Sequence, residues 1–217
     1  MAPTLVELST VAAFVRQHTH DIRNHLTGLE LEAAVLAEVH QDSPSAAGAA
    51  RMQAQIKEVA MELKGLAEKF SEVETHRAPF AARELFLIWQ DQAAALGLDS
   101  ITWGSTLAEE KIDVDVAAVC EVLQELLVNA QHFTGPAGLA AMADGRGGKV
   151  TFELRETKRE PLDPSGWGDR PFLSTKRGGY GLGLWQAAQL VVASGGEVTR
   201  VYLPKGTLVT KVIFPLA

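Results

Sequence analysis

LSTVAAFVRQHTHDIRNHLTGLELEAAVL, residues 8–36, sets apolar or near-apolar side chains at Leu8, Val11, Val15, His18, Ile22, Leu26, Leu29, Ala33 and Leu36. The steps alternate between three and four residues, which keeps them on one stripe of a helix. The stripe predicts a long amphipathic helix ending before QDSPS, residues 41–45. There Ser43 and Pro44 form an N-cap and first-turn pair for a second helix. Met52, Ile56, Val59, Leu63, Leu66, Phe70 and Val73 continue the same heptad-like spacing. Two such helices joined by a short link make an antiparallel hairpin. A lone hairpin cannot bury both seams. Pairing with a second copy into a four-helix bundle would bury them, and so would packing on the rest of the same chain. Length and regularity favour the homodimer, through residues 1–76.

The segment THRAPF, residues 75–80, ends this periodicity, and the pattern beyond it is mixed. Residues 81–96 read as a helix, and 99–106 and 111–114 as short extended pieces. Asp115 caps a helix running to about Phe133. The glycine-rich GPAGLAAMADGRGG, residues 135–148, reads as a loop, and KVTFELRE, residues 149–156, alternates as a strand does. Residues 157–180 read as a long mobile loop. A helix follows from about Leu182 to Ser194, then a strand pair, EVTRVYLP and GTLVTKVIFPL, around Pro204, Lys205 and Gly206. The predicted class is α+β, with a helical hairpin over 1–76 and an α/β sandwich over 77–217.

The bulk properties narrow the function. The chain has 217 residues, 47% of them hydrophobic, enough for a packed core. Its net charge is −7, with no basic stripe of the kind that marks a nucleic-acid partner. The single cysteine, Cys120, can build neither a disulfide framework nor a cysteine zinc site. No apolar run approaches the roughly 20 residues needed to span a bilayer, and MAPTLVELST lacks the features of a signal peptide. A cytoplasmic protein without a membrane segment is expected.

Three places could carry chemistry. His20 lies about 200° around the first helix from His18, so it points away from the stripe that His18 and His25 adjoin. Asp21 is adjacent, and Asn24 is one turn further on the same face. An exposed imidazole beside a carboxylate could accept a phosphoryl group, with the carboxylate orienting the ring and taking its proton. An ordinary surface histidine is the plain alternative. A metal site from His18, His20 and His25 is disfavoured, because the three do not share a face. Glu125 and Asn129 are four apart on the helix over 115–133, where a carboxylate and an amide could hold Mg²⁺ or form a solvated polar pair. Finally, Gly178, Gly179, Gly181 and Gly183 precede or open a helix, with Lys176 and Arg177 beside them. Such a turn lets backbone N–H groups approach an anion. It is neither a Walker loop nor a clear Rossmann turn.

In this order the three pieces resemble the histidine-kinase family of two-component signalling. HDIRNHL, residues 20–26, resembles its phosphoacceptor box. ELLVNAQHFT, residues 125–134, resembles the box of the Mg²⁺-binding asparagine, and PFLSTKRGGYGLGL, residues 171–184, is similar to the nucleotide lid. The likeness covers almost the whole chain from His20 onward. It implies a dimeric four-helix bundle followed by a histidine-kinase-type ATPase domain, with Mg²⁺ and ATP as cofactors and the receiver domain of a response regulator as partner. It further implies that His20 is phosphorylated, Asp21 activates it, and Asn24 positions water in dephosphorylation. Asn129 would bind Mg²⁺ with Glu125 supporting it, while His132, Lys176, Gly179, Gly181 and Gly183 would lie toward the phosphates.

One departure stands out. The family carries an Asp-x-Gly-x-Gly turn directly after the strand matching KVTFELRE, and its Asp contacts the adenine amino group. Here the strand runs into ETKREPLDPSGWG, where Glu156 or Asp163 could substitute, but neither is followed by the paired glycines in the expected place. Three readings follow: a histidine kinase using Mg-ATP, an ATP-independent histidine phosphotransferase of a phosphorelay with a degenerate ATPase domain, and a non-catalytic dimeric docking module.

Overall fold

A computed structural model gives the architecture; it describes residues 8–39, 44–70, 75–158, 164, 168–172, 181–204 and 206–217. Its contacts divide the chain into two compact units, Met1–Glu72 and Val73–Ala217.

The first unit is a helical hairpin of α1 (Leu8–Val39) and α2 (Pro44–Lys69). At 1.5 Å per residue, α1 is about 48 Å long. The helix–helix seam is built from one heptad on each side. Ala12, Thr19 and Ala33 of α1 are buried, as are Ala49 of α2 and Phe70 just beyond it. Arg16 Nη1 donates to the Phe70 carbonyl at 3.1 Å, fixing the open end of the hairpin. Of these buried residues, only Ala33 and Phe70 belong to the predicted stripes, and several other stripe members are uncovered in the single chain. Ile22, Leu29, Leu36, Met52 and Val59 are all at least 40% exposed, as is Phe14 at 59%. His18 and His25, expected beside the buried stripe, are exposed too. His18 instead stacks on Phe14, with ring centroids 4.0 Å apart. The physical reason is that one hairpin has a single interior, and the smaller alanine and threonine heptad lets the two backbones approach.

The second unit opens with β1 (Ala78–Ala81), paired antiparallel with β3 (Lys111–Val114). Thr75 and Arg77 are tied into this unit, through Thr75 Oγ1 to the Ala193 carbonyl at 3.3 Å and Arg77 Nε to the Asp113 carbonyl at 3.0 Å. Three helices, α3 (Ala82–Ala95), α4 (Val116–Phe133) and α5 (Gly183–Ala193), pack on a mixed five-stranded sheet. The sheet joins β2 (Thr102–Ser105), β4 (Thr134–Arg146), β5 (Lys149–Lys158), β6 (Glu197–Leu203) and β7 (Thr207–Pro215) in the order β2-β4-β5-β7-β6. Only β2 and β4 run parallel. Phe152 and Leu154 of β5 and Val212 and Phe214 of β7 enter the core with Leu85 and Trp89 of α3 and Leu123 and Leu127 of α4. Trp89 is fully buried, packs edge-on to Phe152 at 6.3 Å and donates from Nε1 to the Leu123 carbonyl at 3.1 Å.

The glycine-rich segment expected as a loop is β4, a central strand bonded to β2 on one side and β5 on the other. Its alternation is Leu139, Ala141, Ala143. Ala141 and Ala143 are buried, and small side chains there admit the helical layer. Central position overrides weak strand propensity, because the backbone hydrogen bonds are satisfied on both edges. Gly147 and Gly148, both at positive φ (60° and 74°), turn β4 into β5 in a two-residue hairpin between the paired Arg146 and Lys149. Of the loop expected over 157–180, Thr157 and Lys158 belong to β5; apart from residues 164 and 168–172, the rest lies outside the described residues. So does Ser43, while α2 begins at Pro44 as expected.

Candidate functional site

On α1, His20 projects into solvent, its side chain 70% exposed. Nδ1 lies 3.3 Å from Asp21 Oδ1 and 3.5 Å from Asn24 Nδ2. Both contacts cannot be hydrogen bonds at once. Asp21 accepts and needs a proton on Nδ1, whereas an Asn24 amide donor needs a bare Nδ1. The carboxylate contact is shorter and charge-assisted, so it sets the tautomer: Nδ1–H donates to Asp21, and Nε2 carries the outward lone pair. Gln17, one turn before, donates from Nε2 to both Asp21 oxygens at 3.1 and 3.3 Å. This hydrogen bond first, and that of His20 second, hold the Asp21 carboxyl below the usual carboxylate range. Gln17 was not singled out from sequence. Its signal is the spacing of four from Asp21 on one helix face.

In the second unit, Asp115 caps α4. Its Oδ1 accepts the Ala118 N–H at 3.1 Å and its Oδ2 the His76 N–H at 2.8 Å, and these donors lower its pKa. One face of α4 carries Glu125 and Asn129. Asn129 Nδ2 donates to the Glu125 carbonyl at 2.8 Å and to Glu125 Oε1 at 2.7 Å. With its nitrogen so engaged, Asn129 presents its Oδ1 as the acceptor. Gly183, the first residue of α5, lies against the same carboxylate. A Cβ at Gly183 would stand 1.9 Å from Glu125 Oε1, so any larger residue would have to displace that carboxylate. Gly181, at φ 65°, makes the turn into α5, and Gln186 Nε2 donates to Glu121 Oε1 at 3.2 Å, tying α5 to α4. The fold therefore brings Glu125, Asn129 and the N-terminal end of α5 together. His132 is exposed in the last turn of α4, while Lys176 and Gly179 lie outside the described residues. Phe172 adopts φ 68° and donates its N–H to the Gly181 carbonyl at 3.0 Å, joining the two ends of the lid-like segment.

Among the described residues no three His, Cys, Asp or Glu side chains group as a metal site. A Mg²⁺ here would rest on Asn129 and Glu125 and fill its octahedron with water and phosphate oxygens, as Mg²⁺ ordinarily does. This end fits a metal-bound phosphate.

The end of β5, where the resemblance would set an adenine-reading turn, is built differently. Phe152, Leu154, Glu156 and Lys158 alternate onto the helix-facing side of β5. Glu156 is in register with Leu139 of β4 and Leu208 of β7. Its Oε2 meets Lys158 Nζ at 2.5 Å, and the two side chains are only 7% and 4% exposed. Arg200 of β6 lies on the same face, in the cross-strand row of Leu154 and Thr210. Burial pushes its guanidinium down against the opposing charges of Asp169 and Glu156. A Cβ at Gly168 would come within 2.7 Å of Arg200 Nη1 and 3.1 Å of the Leu184 carbonyl, so the guanidinium sits close to the first turn of α5. Glu156 thus offers its carboxylate to an internal cation, and this end does not fit an adenine amino group. Asp163 lies outside the described residues. The opposite face of the sheet carries its own ion pairs, Glu153 with Arg155 and with Lys211.

Neither protein-family profiles nor curated proteins match this chain. Solved structures do. Full-length ShkA, in complex with AMPPNP, is similar over 94% of this chain with a TM-score of 0.70 and 19% identity; this chain spans 46% of ShkA, about half its length. The nucleotide-free catalytic domain of the histidine kinase ThkA is similar over 65% of this chain and 96% of its own, with a TM-score of 0.54 and 20% identity. The histidine kinase AdeS of Acinetobacter baumannii is similar over 91% of this chain and 98% of its own, with a TM-score of 0.58 and 13% identity. The fold expected from the motif order is therefore the fold found: α+β, a helical hairpin followed by the histidine-kinase catalytic architecture.

Proposed function

We propose that this chain, which has the histidine-kinase fold, is a two-component signalling protein that carries a phosphoryl group on His20 and passes it to an aspartate of a response-regulator receiver domain. The observation that carries this reading is the His20–Asp21 contact at 3.3 Å on an exposed helix face, with Gln17 bracing the carboxylate. Nε2 attacks the phosphorus, the donor's bond to phosphorus breaks, and the Nδ1 proton passes to Asp21. Charge on the ring is thereby relieved as the new P–N bond forms. Asn24, one turn on, is the residue for positioning water when the phosphoryl group is removed. Asn24→Ala is expected to slow that loss without preventing phosphorylation.

The apolar heptads left open on α1 and α2 support a homodimer through residues 1–76, in which two hairpins form a four-helix bundle. We place the protein in the cytoplasm, since among the described residues no helix is long and apolar enough to cross a membrane and two-component receivers are soluble.

Two donors are distinguished by specific observations. Glu125, Asn129 and the glycine-opened α5 favour a Mg²⁺-bound phosphate, toward which His132, Lys176, Gly179, Gly181 and Gly183 would lie. Mg-ATP held there would supply the phosphoryl group, and the protein would be a kinase. The buried Glu156–Lys158 pair favours the second donor, a phosphorylated receiver, and the protein would be a phosphotransferase of a phosphorelay. The test is labelling of purified protein from radiolabelled Mg-ATP, and separately from a radiolabelled phospho-receiver, beside a His20→Ala control. Acid-labile, base-stable label on the wild type alone is expected from one of the two. Equal label on His20→Ala, or none from either donor, overturns the reading and leaves a docking module.

A further inference from the structure

We infer that the Glu156–Lys158 ion pair is a built-in occupant of the base half of the nucleotide site, so that this domain keeps the phosphate-binding end of its fold but takes no adenine nucleotide. The inference rests on the phosphotransfer reading above and decides between its two donors in favour of the phospho-receiver.

Three observations converge on it. Glu156 and Lys158 follow Leu154 on the helix-facing side of β5, at the strand end where the resembling family turns through its adenine-reading aspartate and paired glycines. The carboxylate that would accept from a base amino group is bonded to an ammonium at 2.5 Å, with the two side chains 7% and 4% exposed. The main chain of Lys158 is held as well, its N–H donating to the Gly206 carbonyl at 2.8 Å at the β6–β7 turn. A flexible surface lysine could swing aside for a ligand. A buried one bonded through both backbone and ammonium cannot do so without leaving Glu156 charged and unpaired in a dry environment. Arg200 and Asp169 extend the arrangement. Arg200 lies near the first turn of α5 and feels the opposing charges of Asp169 and Glu156, and Glu156 in turn is paired with Lys158. A purine slot needs apolar faces above and below the ring and one acceptor at its edge. Here the acceptor is spent, and the neighbouring charges would have to shed their partners.

The experiment is calorimetric titration of the full chain with Mg-ATP, in the wild type and in the double variant E156D/K158G, which removes the ammonium and introduces an Asp-x-Gly sequence at the end of β5. The wild type is expected to show no saturable binding up to millimolar Mg-ATP. The double variant is expected to bind at least about tenfold more tightly than that limit, the size of effect that freeing a buried hydrogen-bonding group produces. Saturable wild-type binding below millimolar overturns the inference whether or not the variant folds. A variant that is folded by circular dichroism yet binds no better than the wild type also overturns it. The neutral variant E156Q/K158Q, which leaves no unpaired buried charge, serves as the second opened site, with the same gain expected. Labelling of His20 from a phospho-receiver is measured on the same wild-type preparation. Its absence sinks the phosphotransfer reading alone, and its presence alongside absent ATP binding supports both.

Discussion

In the proposed function, His20 and its neighbours carry the chemistry on three consecutive turns of one exposed helix face, so single substitutions separate their roles. Asp21→Asn removes the proposed acceptor of the Nδ1 proton but keeps a hydrogen-bond acceptor. It is expected to lower the rate of His20 labelling by about 10²-fold or more, within the range of general-base contributions. Rate constants from quenched time courses measure it, and a rate unchanged from the wild type would show that Asp21 takes no proton. Because Gln17 and His20 hold the Asp21 carboxyl below its usual range, it stays ionised throughout the neutral region. Asp115 gives a second residue-scale test, of stability. Its folded-state pKa is depressed by the His76 and Ala118 N–H groups. The stabilisation is therefore present above the unfolded value, roughly 3.9, and is lost as pH falls through the folded one. Asp115→Ala is expected to cost about 1 kcal/mol at neutral pH, the ordinary worth of an N-cap. Asp115→Asn keeps a cap and is expected to flatten the acid limb. Urea midpoints at pH 7 and below pH 4 for the three proteins check both.

At the scale of elements, Trp89 ties the helix α3 to both the sheet and α4. Trp89 packs on Phe152, Phe86 and Trp103 and donates to the Leu123 carbonyl of α4. Trp89→Ala is expected to destabilise the second unit by about 3–5 kcal/mol, through lost burial and a residual cavity. Chemical denaturation followed by circular dichroism measures it, and a loss under 1 kcal/mol would mean the cavity collapses. At the α4–α5 junction, Gly183→Ala drives a methyl group into the Glu125 carboxylate. It is expected to displace Glu125 and weaken Mg²⁺ binding while leaving α5 helical, as judged by Mg²⁺ titration of the folded variant.

The whole molecule presents apolar heptads that one copy leaves uncovered: Ile22, Leu29 and Leu36 on α1, Met52 and Val59 on α2. Sedimentation equilibrium is expected to give about twice the 23.3 kDa of the chain, and Leu29→Glu is expected to shift the population to monomer. A wild type that sediments as a monomer at all concentrations would refute the dimer and leave those side chains to another partner. Much of this level was legible in the sequence. The 3–4 spacing gave the hairpin, Asp115 announced α4, and the alternation of KVTFELRE gave β5, because helical and strand periods are local properties of burial. The order of three motifs gave the fold class. Which residues of α1 face α2 was not legible, because period alone does not say which neighbour covers a side chain. Nor was β4, whose glycines and alanines read as a loop until strands on both sides supplied partners for its backbone. Gln17 was legible from its spacing of four before Asp21, whereas Lys158 was not, because the burial of its side chain depends on what packs over the sheet. Sequence by itself determined the helix and strand periods and the outward placing of His20, since both follow from local geometry. Only the tertiary structure decided that Glu156 meets Lys158 in the interior, because burial and charge pairing depend on what the sheet brings over them.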